Sequence, residues 1–103
     1  MKHVVTKKVP FLAFDGTDKV MDYREYLKLA TKQPLNPKTG IGIDEIEKSL
    51  RVLKSIDLGD ENGFDLEDSD FEHLLEKVEN LHFNFVHEVF INFVKDIRAS
   101  REA

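Results

Sequence analysis

The sequence predicts a single α+β domain in which three to four helices pack with a small antiparallel β-hairpin or two-stranded sheet. A segment rich in valine and phenylalanine, residues 4–14, ends at the turn-forming pair Asp15-Gly16 and indicates strand structure. Several amphipathic segments with apolar residues three or four positions apart indicate helices. A loop rich in proline and glycine, residues 34–42, separates the first two helices. At 103 residues, the whole chain has the size of one domain.

The N-terminal region, residues 1–16, is predicted to form one strand or an irregular pair of strands. Alternate residues of the segment 4–14 fall into two sets, and neither set is cleanly polar. Pro10 cannot donate a hydrogen bond to a β-ladder, so it predicts an edge strand, a bulge or a break. A second short strand is predicted at residues 64–66, where the sequence alternates and is flanked by turn residues.

Helix starts and stops are marked by capping residues and proline. Asp22 is the predicted N-cap of the first helix, with Glu25 completing a capping box, and Pro34 ends that helix. Asp44 is predicted to cap the second helix weakly, and Asp68 to cap the third. The predicted core stripes are Tyr23, Tyr26, Leu27 and Ala30 in the first helix; Ile46, Leu50, Val52, Leu53 and Ile56 in the second; Phe71, Leu74, Leu75, Val78 and Leu81 in the third; and Val86, Val89, Phe90, Phe93, Val94 and Ile97 in the last.

The last helix carries more apolar residues than one core-facing stripe requires. Phe83 and Phe85 flank Asn84 at a predicted break, and Ile91 lies off the stripe. These residues are either buried inside the monomer or exposed to contact a partner, which for a self-associating surface is a second copy of the chain. They are the first three candidate partner-binding residues. The tail, residues 98–103, is predicted to fray.

The net charge of −5 is unevenly distributed along the chain. Residues 1–56 carry a net +4, and residues 57–103 carry a net −9. The segment 57–72 holds eight acidic residues and no lysine or arginine. This cluster is either a solvated face that keeps the protein in solution or a site for a basic protein. Its candidate partner-binding residues are Asp60, Glu61, Asp65 and Glu67.

The sequence lacks the motifs of the common catalytic and metal-binding sites. It has no cysteine, which excludes disulfides, thiol nucleophiles and cysteine zinc sites. The acidic segment 57–68 does not match a calcium loop in either possible register, and no two histidines are four residues apart. No serine elbow, phosphate loop or dinucleotide fingerprint is present. We therefore predict a protein that is not an enzyme and binds no metal or cofactor.

Membranes and nucleic acids are not expected partners. No apolar run of about 18 residues and no signal-peptide core are present, so we expect a cytoplasmic protein. An acidic half repels phosphates. Five scattered cations in the N-terminal half are weak support for nucleic-acid binding: Lys7, Lys8, Lys48, Arg51 and Lys54.

Four features of the sequence form one combined pattern: the strand ending at Asp15-Gly16, the proline/glycine loop, the helix sequence GIDEIEKSLRVL at 42–53 and the cap LEDSDF at 66–71, followed by Leu74 and Val78. This pattern resembles small proteins encoded in the virion-assembly regions of tailed phages and prophages. The resemblance implies an assembly factor, such as a tail-assembly chaperone or a connector accessory protein, without an active site. For a phage-encoded protein, the expected location is the host cytoplasm.

The sequence therefore predicts a protein-protein interaction or assembly factor that acts on another protein or by self-association. The alternative is a small acidic inhibitor or regulator of a basic protein surface, of the kind used in phage counter-defence.

Overall fold

Four helices lie beside two antiparallel two-stranded sheets in the described part of the chain, which confirms the predicted α+β class. The structure, a computed structural model, describes residues 1–83 and 85–102. In chain order its elements are β1 (Lys2–Val5), β2 (Lys8–Leu12), β3 (Asp18–Asp22), α1 (Tyr23–Lys32), α2 (Ile43–Leu58), β4 (Gly63–Leu66), α3 (Asp68–Glu79), α4 (Glu88–Ala99) and a 3-10 turn (Ser100–Glu102).

The N-terminal region forms two strands that belong to different sheets. β1 pairs with β4, and Val4 lies opposite Phe64 in the register. β2 pairs with β3 in a hairpin whose turn contains Asp15-Gly16. The irregular strand pair is thus confirmed, together with the short strand at 64–66. β3 was not predicted, because three of its five residues are charged and the segment lacks a strand-like composition.

Pro10 lies on β2 with its backbone directed away from β3. The hydrogen bonds at the two ends of the hairpin fix this alternation: Ala13 donates to the Thr17 carbonyl at 2.9 Å, and Tyr23 donates to the Lys7 carbonyl at 3.1 Å. Odd-numbered residues of β2 therefore bond to β3, and Pro10 stands at an outward position. The edge-strand interpretation of Pro10 is confirmed, and the missing N–H removes no ladder bond.

Helices α1 and α3 follow the predicted patterns closely. The Asp22 carboxylate caps α1 by accepting from the Arg24 backbone N–H at 3.1 Å. The N-cap of α3 is Glu67, without a side-chain hydrogen bond, so the prediction of Asp68 was wrong by one residue. The Asp68 carboxylate instead lies 3.3 Å from the N-terminal amine. The predicted α3 stripe is buried throughout: Phe71, Leu74, Leu75, Val78 and Leu81.

Helix α2 begins and faces the core differently from the prediction. Its N-cap is Gly42, and Asp44 lies inside the first turn, so the predicted cap was wrong. Ile46 and Leu50, predicted as core residues, are exposed.

The buried residues of α2 are instead Ser49, Val52 and Ile56. Ser49 can take an inward position because its hydroxyl pairs with Nε2 of His73 on α3 at 3.1 Å. The core-facing side of α2 therefore includes Ser49, whose hydroxyl is hydrogen-bonded to a distant partner, and the side that carries Ile46 and Leu50 is left in solvent.

The C-terminal part of the chain contacts the body in the described residues, and its predicted fraying stays a prediction. Helix α4 runs to Ala99 and Ser100 is buried. The Lys2 ammonium donates to the Arg101 carbonyl at 2.6 Å, and the Arg101 guanidinium contacts Glu72 at 2.7 Å. These partners lie far away in the sequence, so local composition does not indicate them.

The core lies between the helices and the inner sides of both sheets. Tyr23 of α1 packs edge-on against Phe93 of α4, with ring centroids 4.8 Å apart. Other fully buried side chains come from α1 to α4 and from the strands β1, β3 and β4: Val4, Met21, Leu27, Val52, Ile56, Leu66, Phe71, Leu74, Leu75 and Ile97.

Candidate functional site

An exposed apolar surface is formed where the tip of the β2–β3 hairpin meets the start of α4. Phe14 is 83% exposed and Val86 is 81% exposed, while Ile91 is 58% and Phe85 36% exposed. Leu12, the last residue of β2, is also exposed. We call these five residues, Leu12, Phe14, Phe85, Val86 and Ile91, the hairpin surface.

His87 joins the two halves of the hairpin surface. Its Nδ1 accepts a hydrogen bond from the Val89 backbone N–H at 3.0 Å, which caps α4. Nε2 therefore carries the proton and donates to the Leu12 carbonyl at 3.0 Å. The Phe14 ring stacks at a tilt on the imidazole, with centroids 5.6 Å apart. Ile91 lies at the end of the first turn of α4, four residues after His87.

A cluster of aromatic rings supports the hairpin surface from inside. Phe11 contacts both the His87 ring, at 4.6 Å between centroids, and the Phe85 ring, at 6.2 Å. Phe83 stacks on Phe90 at 4.2 Å and is partly buried. The Lys19 ammonium lies 5.6 Å from the Phe85 ring centroid. The surface therefore rests on packed side chains and is fixed in position.

The three apolar candidates from the sequence divide between the core and this surface. Phe83 packs against the core, Phe85 bridges core and solvent, and Ile91 faces solvent. Leu12 and Phe14 were not predicted as binding residues, and Val86 was predicted in a core stripe. The sequence did contain a signal for Leu12 and Phe14, because both alternating sets of residues 4–14 include apolar side chains. A strand that is apolar on both faces is typically covered on both faces.

The four acidic candidates lie in the turn before β4, on β4 and at the N-cap of α3. Asp65 contacts His3 at 2.7 Å in the β1–β4 sheet, and all four residues are exposed. The Asp60 carboxylate accepts from the Asn62 backbone N–H at 2.8 Å in the turn before β4. Among the described residues, Glu61 and Glu67 form no ion pair within 4 Å.

Cations from other elements form ion pairs with several carboxylates of the acidic segment 57–72. Asp70 contacts the Arg51 guanidinium at 3.2 Å, and Asp57 lies 3.5 Å from the Lys28 ammonium. Asp65, Asp68 and Glu72 contact His3, the N-terminal amine and Arg101. The cluster that is purely acidic in sequence therefore presents less net charge in the fold.

One serine-histidine pair exists, but it is enclosed between α2 and α3. Ser49 and His73 are both buried, and burial lowers the pKa of His73, with Lys77 and Lys48 adding to the effect. Nearby, the buried Lys77 ammonium contacts the Glu45 carboxylate at 2.5 Å and the Gln33 carbonyl. A substrate has no access to groups enclosed in this way, so we interpret this network as structural.

A second polar cluster lies beside an open depression of about 270 Å³ lined by His3, Val5, Lys7, Tyr23, Asp96, Ala99 and Ser100. The Tyr23 hydroxyl donates to Asp96 Oδ2 at 2.5 Å, and the Lys7 ammonium lies 3.3 Å from the same oxygen. Burial and the hydrogen bond to Asp96 raise the pKa of Tyr23. The phenol therefore stays protonated and serves as a donor that fixes α4 to the start of α1.

Metal-binding groups are not brought together within residues 1–83 and 85–102, where no cluster of three or more such side chains occurs. The acidic stretch 57–68 is divided between the end of α2, a tight turn and β4, so it is not one loop. Among the described helices, none has both the length and the apolar character needed to cross a bilayer.

Comparisons with known proteins give no match: no family model, no curated protein and no solved structure is similar to this chain.

Proposed function

We propose that the protein is a non-enzymatic interaction domain that binds another protein through the hairpin surface. The observation that carries this proposal is the pair Phe14 and Val86, both more than 80% exposed, on either side of the structured His87. Contiguous apolar groups in water cost free energy that a protein partner can recover by covering them. Exposed aromatic anchors commonly supply most of the energy at such contacts.

The composition of the hairpin surface indicates the chemistry of its partner. Phe14 projects from the turn and is suited to an apolar pocket. Asp15 and Lys19 of the hairpin and Glu88 of α4 are exposed around it and provide a polar rim. The partner is therefore expected to offer an apolar concavity bordered by polar groups of both signs.

A pair of hairpin variants tests the proposal. Phe14→Ser and Val86→Asp are expected to fold normally, with unfolding free energies within about 0.5 kcal/mol of the parent, because both side chains are exposed. Cross-linking and affinity capture from the source cells should recover a defined partner with the parent protein, and each variant should lose it. Leu29→Ser on α1 is the matched control, since it removes an exposed apolar side chain elsewhere.

Capture of the same proteins by all three variants would contradict the proposal. If the parent recovers only itself, light scattering at high concentration on the parent and on Phe14→Ser decides whether the hairpin surface joins two copies, since only a dimer through that surface is lost in the variant. A parent protein that is monomeric and captures nothing in its own cells would refute an interaction role.

The role as an assembly factor and the phage origin stay predictions from the resemblance. The acidic-regulator alternative also stays a prediction, and its candidate charges are Asp60, Glu61, Asp65 and Glu67, of which Asp65 contacts His3. Lowered affinity of a captured partner after charge reversal at these positions, and not at Phe14, would favour it.

A further inference from the structure

The outward side of α2 carries apolar residues that the monomer leaves in solvent. Ile43 is 70%, Leu50 60% and Leu58 79% exposed, and Glu47 and Lys54 are exposed between them. Their spacings of four, three, four and four residues place all five on one side of the helix. The buried residues Ser49, Val52 and Ile56 lie on the opposite side. We call the outward set, Ile43, Glu47, Leu50, Lys54 and Leu58, the α2 face.

We propose that the α2 face is a dimer interface in which α2 pairs antiparallel with α2 of a second copy. This inference is independent of the hairpin surface and of the function proposed for it. A two-fold interface must be self-complementary, so that when residue i contacts residue j, residue j also contacts residue i. The α2 face meets this condition.

Reversing α2 about the point between Leu50 and Arg51 brings complementary residues together. Ile43 then lies at the level of Leu58 of the second copy, and Leu50 lies beside its own counterpart near the axis. Glu47 lies at the level of Lys54 of the second copy, and Lys54 at the level of Glu47. Apolar residues therefore meet apolar residues at both ends and in the centre, and opposite charges meet twice between them.

The charges select this arrangement over the others. Among the described residues, neither Glu47 nor Lys54 forms an ion pair within 4 Å, Glu47 interacts with Arg51 only at longer range, and Glu47 and Lys54 lie about 10.5 Å apart along their own helix. A parallel pair of α2 helices would bring Glu47 against Glu47 and Lys54 against Lys54, which is unfavourable. An unrelated amphipathic helix has no reason to match this charge order, whereas a second copy matches it by symmetry.

The expected dimer is weak and reversible. A helix of 16 residues is about 24 Å long, so a single helix pair buries less area than a standard protein interface. We therefore expect a dissociation constant on the order of 10 to 100 µM, which dilute samples would not reveal.

Charge exchange between two copies gives the sharpest test. Sedimentation velocity on the full chain, from about 5 µM to about 1 mM, should show the parent dimerising. Glu47→Lys and Lys54→Glu should each weaken the dimer about tenfold, because each creates like-charge contacts. The double variant, and an equimolar mixture of the two single variants, should restore dimerisation to within about threefold, since both recreate opposite-charge pairs.

Disulfide trapping tests the geometry, because the chain contains no natural cysteine. Leu50→Cys should cross-link to itself under mild oxidation, and an equimolar mixture of Ile43→Cys and Leu58→Cys should form the mixed dimer. Leu29→Cys on α1 serves as the control that should not cross-link. Unchanged urea midpoints show that these exposed substitutions leave the fold intact.

A parent protein that remains monomeric at the highest concentration would overturn the proposal. The proposal would also be overturned by a dimer that tolerates both charge reversals. It would be overturned as well by a dimer that is lost with Phe14→Ser and retained with Leu50→Asp, and that result would place the second copy on the hairpin surface.

Discussion

Gly63, the first residue of β4, leaves no room for a Cβ beside β1, and we expect Gly63→Ala to destabilise the fold severely. Its φ is +136°, a backbone conformation that residues with a Cβ rarely adopt. A Cβ at this position would lie 2.0 Å from the Val4 carbonyl oxygen and 3.0 Å from Nε2 of His3. Alanine therefore meets both backbone strain and a steric clash with the neighbouring strand.

Both contributions can be estimated. Placing a Cβ at φ +136°, outside the left-handed helical region, costs roughly 1–3 kcal/mol, and forcing extra atoms into a packed site costs roughly 1–3 kcal/mol. The clash is with backbone, which can move only if β1 shifts away from β4. The expected loss of unfolding free energy for Gly63→Ala is therefore about 2–6 kcal/mol.

Three other glycines separate the two contributions. Gly40 has φ +75°, and a Cβ there would meet nothing within 4 Å, so Gly40→Ala should cost only the strain, about 1–2 kcal/mol. At Gly59, φ is −77° but a Cβ would lie 2.5 Å from the Gly63 carbonyl oxygen, so Gly59→Ala should cost only the clash, about 1–3 kcal/mol. Gly42, with φ −79° and open space, has neither and provides the baseline.

Urea unfolding followed by circular dichroism measures all four variants. The expected order of destabilisation is Gly63→Ala largest, Gly40→Ala and Gly59→Ala intermediate, and Gly42→Ala smallest. If Gly63→Ala lost no more stability than Gly40→Ala, a steric conflict between residue 63 and β1 would be refuted.

Three further predictions concern the polar clusters, each measured by urea unfolding. Lys77→Ala should lower the free energy of unfolding by about 3 kcal/mol because it breaks a buried ion pair, whereas Lys77→Met combined with Glu45→Leu should recover most of that loss. An equal loss in the single and the double variant would contradict this prediction. The pKa of His73 is lowered in the folded protein, so the free energy of unfolding should fall as the pH drops below about 6.5, the pKa in the unfolded chain. Protonation of His73 should cause no further loss of stability once the pH is below its pKa in the folded protein. His73→Gln should remove this pH-dependent loss. Tyr23→Phe should cost about 1 kcal/mol through its lost bond to Asp96, and an unchanged midpoint would show that the bond contributes nothing.

Local patterns predicted the elements that are defined by their own residues. The Asp22 cap, the α3 stripe and the short strand at 64–66 all depend on neighbours within a few positions, and all are present. The hairpin turn at Asp15-Gly16 is of the same kind. The α+β class follows from these elements together.

Features that depend on distant partners were not predictable in this way. The orientation of α2 depends on His73, which satisfies Ser49 from another helix. The contacts of the tail involve Lys2 and Glu72, which are far from Arg101 in sequence. For the same reason, the sequence alone overstates the net charge that the acidic segment 57–72 presents, since Arg51 and Lys28 pair with Asp70 and Asp57 only in the folded chain.

The two sheets differ greatly in the length of chain that each must close. β2 and β3 are joined by a short turn, so their pairing closes a small loop at little entropic cost. β1 and β4 are separated by more than fifty residues, and their pairing requires the intervening helices to be arranged first. We therefore expect the hairpin to form early in folding and β1 to dock last. Destabilising changes in β1 should then mainly speed unfolding and leave the folding rate nearly unchanged.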